Sequence, residues 1–251
     1  MPFALSFLSE GFLGKHLFSL YERYSSTDLI FVIIGIVLVI VAAYVLGSIN
    51  FAIIISGRHY KEDIRTHGSK NAGMTNMMRT YGKKAAALTL LGDALKAIAA
   101  GFIGYIVIGP LGAHVAGLFC ILGHVFPVFY GFKGGKGVVT AFATVLMCDP
   151  PVFLVLITIF VIIVLFTKYI SLGSVMCMLL YPILLDTFTR FATGGATTSP
   201  YIPIAILVAI IIVAKHWTNI KRLLNGTESK FSFKKSVKAP AADEIKSEEN
   251  K

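Results

Sequence analysis

LIFVIIGIVLVIVAAYVLGSINFAIII, residues 29–55, runs for 27 residues without a charged side chain. A helix needs about 20 mostly apolar residues to cross the hydrocarbon core of a bilayer. The stretch therefore reads as a membrane span, with Gly47-Ser48-Ile49-Asn50 making its last third polar. The same reading extends along the chain. Ala85–Ile108 qualifies and carries Asp93 and Lys96, while Leu111–Tyr130 qualifies and carries His114, His124 and Pro127. Val138–Cys148 is apolar but short, and Pro150-Pro151 breaks the chain before Val152–Phe166. Ile170–Leu185 and Tyr201–Ala214 complete the set. The expected fold is all-α, a polytopic membrane protein of seven transmembrane helices. The alternative folds 138–166 back as a re-entrant hairpin and leaves five spans.

Composition agrees. Of the 251 residues, 56% are apolar and 14% charged, against about 25% charged in an average soluble domain. Disorder over the whole chain is excluded, because it needs low hydrophobicity and high charge. A water-soluble globule is disfavoured for want of polar residues to cover its surface. Yet 23 Lys+Arg against 13 Asp+Glu leave a net charge of +10.

Those basic residues set orientation, since cytosolic loops of membrane proteins carry the Lys/Arg excess. Loop 57–84 holds seven of them, loop 131–137 two, turn 167–169 one, and the segment from 215 onward nine. Seven spans with the N-terminus outside and the C-terminus in the cytosol place 19 of the 23 at the cytosolic face. The expected location is the cell membrane, multi-pass, with any site built from these loops facing the cytosol.

The ends differ in kind. Residues 1–28 form a mixed, aromatic N-terminal extension suited to lying in the interface. Residues 229–251 are rich in Lys, Glu and Ser and read as a disordered cytosolic tail. The domain between them is 29–228. Cys120, Cys148 and Cys177 lie in apolar runs without CxxC spacing, which argues against a disulfide framework or a metal site.

Three polar segments carry the chemistry. The first is HGSKNAGMTN (67–76), with Arg79 three residues on. Its glycines let a backbone approach an anion, and Arg79 suits bidentate phosphate binding. The second is GFKGGKG (131–137), where four glycines and Lys133 and Lys136 open an apolar helix whose N–H groups favour anions. It is not a Walker A loop, so it gives no sign of ATP hydrolysis. The third, KHWTNIKRLLNGTE (215–228), puts His216 and Asn219 at i, i+3 on one helical face. Each has a plainer reading as well: a solvated turn, a hinge with topogenic lysines, or a juxtamembrane anchor. Asp93 and Lys96, i, i+3 within a span, read as a structural ion pair.

Taken together, GSKNAGMTN with Arg79, GHVFPVFYGFKGGKG (123–137) and KHWTNIKRLLNGTE resemble the bacterial membrane glycerol-3-phosphate acyltransferases that use acyl phosphate. That family's pattern reads GSGNxGATN followed by Arg, GHxxPVFxxFKGGKG, and RHxxNIxRLxxGxE. The resemblance covers about residues 36–228. Departures are Lys70 for a small residue, Met74 for alanine, Lys215 for arginine, and Trp217-Thr218 for a more polar pair.

The resemblance implies roles. Ser69 and Arg79 match the essential residues of the first motif, and His216 and Asn219 the active-site pair of the third. Gly68, Asn71, Gly73, Thr75 and Asn76 join the substrate-binding set. Lys133, Gly134, Gly135, Lys136 and Gly137 match the phosphate-binding loop, and Ser174 a hydroxyl lining the site. Glu228 matches a structural position. The implied reaction transfers a fatty acyl group from acyl phosphate to sn-glycerol 3-phosphate, giving 1-acylglycerol 3-phosphate (lysophosphatidate) and phosphate, an early step of phospholipid synthesis. No metal or other cofactor is implied, since the acyl group arrives activated. The implied partners are the two substrates and membrane lipid, with no nucleic acid and a monomeric state.

Two rivals stand beside this reading. Coenzyme A-dependent or carrier-protein-dependent glycerolipid acyltransferases carry His-x4-Asp, and no histidine here has Asp five residues on. A transporter or flippase for a small organic phosphate would place its polar residues near the midplane.

Overall fold

The computed structural model describes residues 27–231, and the expected N-terminal extension lies almost wholly outside them. Among the described residues the secondary structure is helical throughout, with no strand. We number the helices α1 (Thr27–Ser48), α2 (Phe51–His59), α3 (Met74–Tyr81), α4 (Lys83–Ile108), α5 (Pro110–Val125), α6 (Val138–Cys148), α7 (Pro150–Thr167), α8 (Ile170–Ala192), α9 (Ile202–Lys215) and α10 (Trp217–Leu224). Short 3-10 turns occupy Ile64–Thr66 and Val128–Tyr130.

Five helical segments are long and apolar enough to cross a bilayer: Ile33–His59, Lys83–Ile108, Pro110–Tyr130, Pro150–Thr167 and Ile170–Ala192. A sixth, α9, is shorter and continues after a 60° bend into α10. This differs from the expected seven, because α6 has only 11 residues, about 16 Å of helix. Of the expected hairpin 138–166, α7 alone has spanning length. The turn between α6 and α7 is also far from the loops. Its Asp149 meets His114, one turn into α5, at 3.1 Å.

Lipid explains the outward surface. Helix α7 buries few of its apolar residues, with Leu154, Val161, Ile162 and Leu165 facing outward. Packing between helices cannot come from a hydrophobic difference with lipid, so small residues bring backbones together. A Cβ on Gly104 would fall 2.1 Å from the Gly112 carbonyl oxygen, and one on Gly112 would fall 2.0 Å from that of Gly104. Helices α4 and α5 therefore touch backbone to backbone. Gly47 does the same for α1 against the Cys120 carbonyl of α5, at 2.2 Å.

The first span is not one helix. It breaks at Ile49-Asn50, where Asn50 accepts a hydrogen bond from Ile53 N at 3.1 Å and caps α2. The break frees the Ile49 carbonyl to accept from Lys96 Nζ at 2.6 Å. Turns at residues 109, 149 and 200 gather at one end of the bundle, where His114, Asp149 and Tyr201 meet. The three motif-bearing segments gather at the other.

Candidate active site

The first loop is built around a buried amide. Asn76 Oδ1 accepts from Ser69 N at 2.9 Å, while its Nδ2 donates to the carbonyls of Ile64 (3.2 Å) and His67 (2.9 Å). Expected to bind substrate, Asn76 uses its hydrogen-bonding capacity on the loop itself. Gly68 has φ +56°, and a Cβ there would fall 2.3 Å from Asn76 Oδ1. Lys70 also has a left-handed φ of 58°, which explains why the family pattern carries glycine there. Arg65 ties this loop to the next, donating to the carbonyls of Tyr130 (2.8 Å) and Lys133 (3.1 Å). Asp63 holds the Arg65 guanidinium at 2.7 Å, and that hydrogen-bonded partner keeps its carboxyl below the usual carboxylate range.

The glycine loop lies against the end of α5. Gly135 N donates to the His124 carbonyl at 3.1 Å and Gly134 N to that of Val125 at 3.3 Å. No side chain fits at either glycine. A Cβ on Gly134 would fall 2.0 Å from the His124 carbonyl oxygen. One on Gly135 would fall 2.2 Å from His124 Nε2 and 2.5 Å from the Ala72 carbonyl oxygen. Gly137, at φ +81°, turns the chain into α6. Lys136 donates to Asn219 Oδ1. Burial lowers its pKa to about 8; nearby Glu228 opposes this, while the cations Arg222, Arg79 and Lys215 add to it.

The third segment sits at the bend after α9. His216 is buried, and its Nδ1 donates to the Ile212 carbonyl at 2.8 Å. That bond leaves Nε2 as the acceptor nitrogen. Burial, and then the Lys136 cation, bring the His216 pKa down to about 4, so the ring is neutral at pH 7. Asn219 Nδ2 donates to Glu228 Oε1 at 2.6 Å. The same oxygen accepts from Ser171 Oγ at 2.8 Å, and Oε2 accepts from Arg222 Nε at 2.7 Å. Burial would raise the Glu228 pKa, but hydrogen bonds from Arg222, Asn219 and Ser171 outweigh it and hold the carboxyl below its ordinary value. Glu228 thus anchors Asn219 and α8 rather than standing free.

These segments line one cavity of about 360 Å³. Ser69, Asn71, Gly73, Thr75, Asn76, Arg79, Lys136, Gly137, Ser174, His216, Asn219 and Glu228 all reach it. Gly68, Lys133, Gly134 and Gly135 shape the loops behind it. Ser174 donates to the Ile170 carbonyl of its own helix at 2.8 Å. Ser229 and Phe231 also line the cavity, and Phe231 N donates to the Lys168 carbonyl at 2.7 Å. The chain is therefore still docked at 231, three residues into the expected tail, and the rest of that tail lies outside the described residues.

Toward the membrane the lining turns apolar. Leu90, Ala94 and Ile98 come from α4, Phe142, Ala143 and Leu146 from α6, and Phe153, Ile157 and Phe160 from α7. Each set repeats at helical spacing, so three helix faces converge on a slot.

Several contributors escaped the sequence reading. Arg222 enters through Glu228, a pairing six residues apart across a turn. Asp93 and Lys96 form the expected ion pair at 2.8 Å, but His124 joins them 3.5 Å from Asp93. The position of His124 inside the second motif was the available signal.

Comparison with known proteins gives one answer. The family model described as glycerol-3-phosphate acyltransferase matches residues 37–226. The glycerol-3-phosphate acyltransferase of Finegoldia magna is 43% identical over 201 residues, covering 79% of this chain and 95% of that protein. That of Clostridioides difficile is 38% identical over 209 residues, covering 81% and 98%. A crystal structure of PlsY (YgiH), an integral membrane glycerol 3-phosphate acyltransferase in its glycerol 3-phosphate form, superposes with a TM-score of 0.70 at 34% identity. It covers 78% of this chain and 96% of that one. The lysophosphatidic acid form superposes with a TM-score of 0.68. With its three motifs around one cavity in a helical membrane fold, this chain belongs to the glycerol-3-phosphate acyltransferase family, and it is an acyltransferase.

Proposed function

We propose that the donor is acyl phosphate, the product lysophosphatidate, and the place of reaction the cytosolic side of the cell membrane. One observation carries this reading: the polar pocket of Arg79, Lys136, His216 and Asn219 and the apolar slot between α4, α6 and α7 are a single cavity. A phosphorylated head and an acyl chain fit its two halves. Glycerol 3-phosphate forms are known for the PlsY structure, and the lysophosphatidic acid form carries both chemistries in one molecule.

The residues divide the work. Arg79 and Lys136 hold phosphate oxygens and offset the charge that grows on the carbonyl oxygen. Ser69 and the amides of the first loop steady the acceptor. His216, neutral and with Nε2 as an acceptor, orients the glycerol hydroxyl together with Asn219. Oxygen of that hydroxyl attacks the acyl carbon and forms the ester C–O bond. The bond from acyl carbon to phosphate oxygen breaks, and its electron pair leaves with phosphate. The hydroxyl proton ends on phosphate, directly or through His216 Nε2.

The test is reconstitution. Purified protein is mixed with palmitoyl phosphate and glycerol 3-phosphate without coenzyme A. Lysophosphatidate and phosphate in equal amounts are expected. No lysophosphatidate under those conditions, with product appearing from an acyl thioester instead, removes the acyl phosphate donor.

A further inference from the structure

Beneath the glycine loop lies a buried charged cluster with no part in the reaction as described. Asp93, Lys96 and His124 are 1%, 5% and 3% exposed. Lys96 Nζ stands 2.6 Å from the Ile49 carbonyl, 2.8 Å from Asp93 Oδ1 and 2.9 Å from His124 Nδ1. An ammonium has three N–H donors and no acceptor; this one donates to the Ile49 carbonyl and to His124 Nδ1, and pairs in charge with the Asp93 carboxylate.

The arrangement dictates where the imidazole proton sits. A hydrogen on His124 Nδ1 would point donor against donor at Lys96. Asp93 Oδ1, the rival partner of Nδ1, is farther away at 3.5 Å. His124 therefore accepts at Nδ1 and carries its proton on Nε2. Lys96 and Asp93 cancel each other's charge, so the ring remains a neutral donor.

Nε2 is the edge that meets the glycine loop. A Cβ on Gly135 would fall 2.2 Å from it, and His124 itself lines the cavity. The His124 carbonyl meanwhile accepts Gly135 N. Ring and loop are thus registered to each other next to Lys136. A bare glycine is what gives this N–H access to the wall.

We propose that His124 is a further substrate-contacting residue: its Nε2–H donates to a phosphate oxygen seated on the glycine loop. Lys96, charge-balanced by Asp93, is a positioning residue that fixes the tautomer. The inference rests on the reading that the loop holds a substrate phosphate. It supplies directional binding without adding a further cation beside Lys136 and Arg79.

The test uses full-length enzyme in detergent with 15N-labelled histidine, with His124 assigned by difference against His124→Asn. Expected are an unprotonated Nδ1 and a protonated Nε2, an Nε2 resonance that moves on saturation with glycerol 3-phosphate or inorganic phosphate, and loss of the tautomer preference in Lys96→Met. Kinetics give a second reading. His124→Asn keeps an acceptor for Lys96 but removes the donor, and should raise KM for the phosphorylated substrate about 10- to 100-fold, the worth of one hydrogen bond to a charged group. His124→Gln restores an N–H near Nε2 and should recover most of that loss. A proton on Nδ1, an Nε2 resonance that stays still at saturation, or equal KM in the Asn and Gln variants overturns the proposal. Wild-type enzyme that binds neither probe refutes the phosphate-loop reading and takes this inference with it.

Discussion

Gly135→Ala tests the packing of the glycine loop directly. The added methyl would stand 2.2 Å from His124 Nε2 and 2.5 Å from the Ala72 carbonyl oxygen, where ordinary contact begins at 3.4 Å. One obstacle is a buried ring locked by Lys96 and the other is backbone. Neither is the loose end of a flexible side chain. The loop must therefore retreat by about 1 Å, the scale of misplacement that costs about 100-fold when a catalytic constellation is disturbed. Overpacking of this kind costs roughly 1–3 kcal/mol of stability as well, so folding and activity must be read separately. The assay is kcat/KM for glycerol 3-phosphate in detergent, alongside the thermal unfolding midpoint. Gly57→Ala serves as the control, because nothing lies within 4 Å of its Cβ position. We expect a fall of about 100-fold in Gly135→Ala and little change in Gly57→Ala. A folded Gly135→Ala enzyme with kcat/KM within twofold of wild type would refute the idea that Gly135 is bare because His124 and Ala72 leave no room.

Four further outcomes follow from the same geometry. Lys136, with its pKa brought down to about 8, loses its charge as pH rises through that value; kcat/KM should fall on the alkaline side, Lys136→Arg should move that limb upward, and an unmoved limb would assign it elsewhere. His216, at about 4, stays neutral from pH 5 to 8, so the free enzyme should show no limb from it in that range, and a limb near pH 6.5 that vanishes in His216→Gln would contradict its buried state. Glu228→Ala strips acceptors from Asn219, Ser171 and Arg222; it should lower stability by about 1–3 kcal/mol and depress kcat, with Glu228→Gln milder, and equal damage from both would point to charge rather than hydrogen bonding. Gly104→Leu should prevent folding, because the α4–α5 contact is backbone to backbone, which membrane-inserted yield in a fluorescence-tagged expression assay reports.

Much of the architecture was legible because lipid imposes a blunt rule. Runs such as 29–55 and 85–108 must be helices, since no other open segment satisfies its own amides in hydrocarbon. The number of crossings was less legible. Helix α6 is 11 residues long, and composition does not say whether such a helix crosses, folds back or stays within the bundle. The break at Ile49-Asn50 showed only as a polar stretch, because capping of α2 and donation from Lys96 to the freed carbonyl need partners distant in sequence.

The site divides in the same way. Glycines, lysines and Arg79 stood out as a pattern suited to phosphate, because close backbone approach and cationic charge are properties of residue type. What each residue touches is not. Asn76, expected in the substrate-binding set, lines the cavity and also holds its own loop together. The pairing of Asp93 with Lys96 was visible from i, i+3 spacing, whereas the third member, His124, comes from another helix. By itself the sequence determined a helical membrane protein with glycine-rich cationic loops, since burial of apolar surface and local spacing are written along the chain. Only the tertiary structure decided that the three loops share one cavity with an apolar slot and that a buried lysine sets the proton of His124, because both depend on where α4, α5 and α9 cross, not on the order of residues within any one of them.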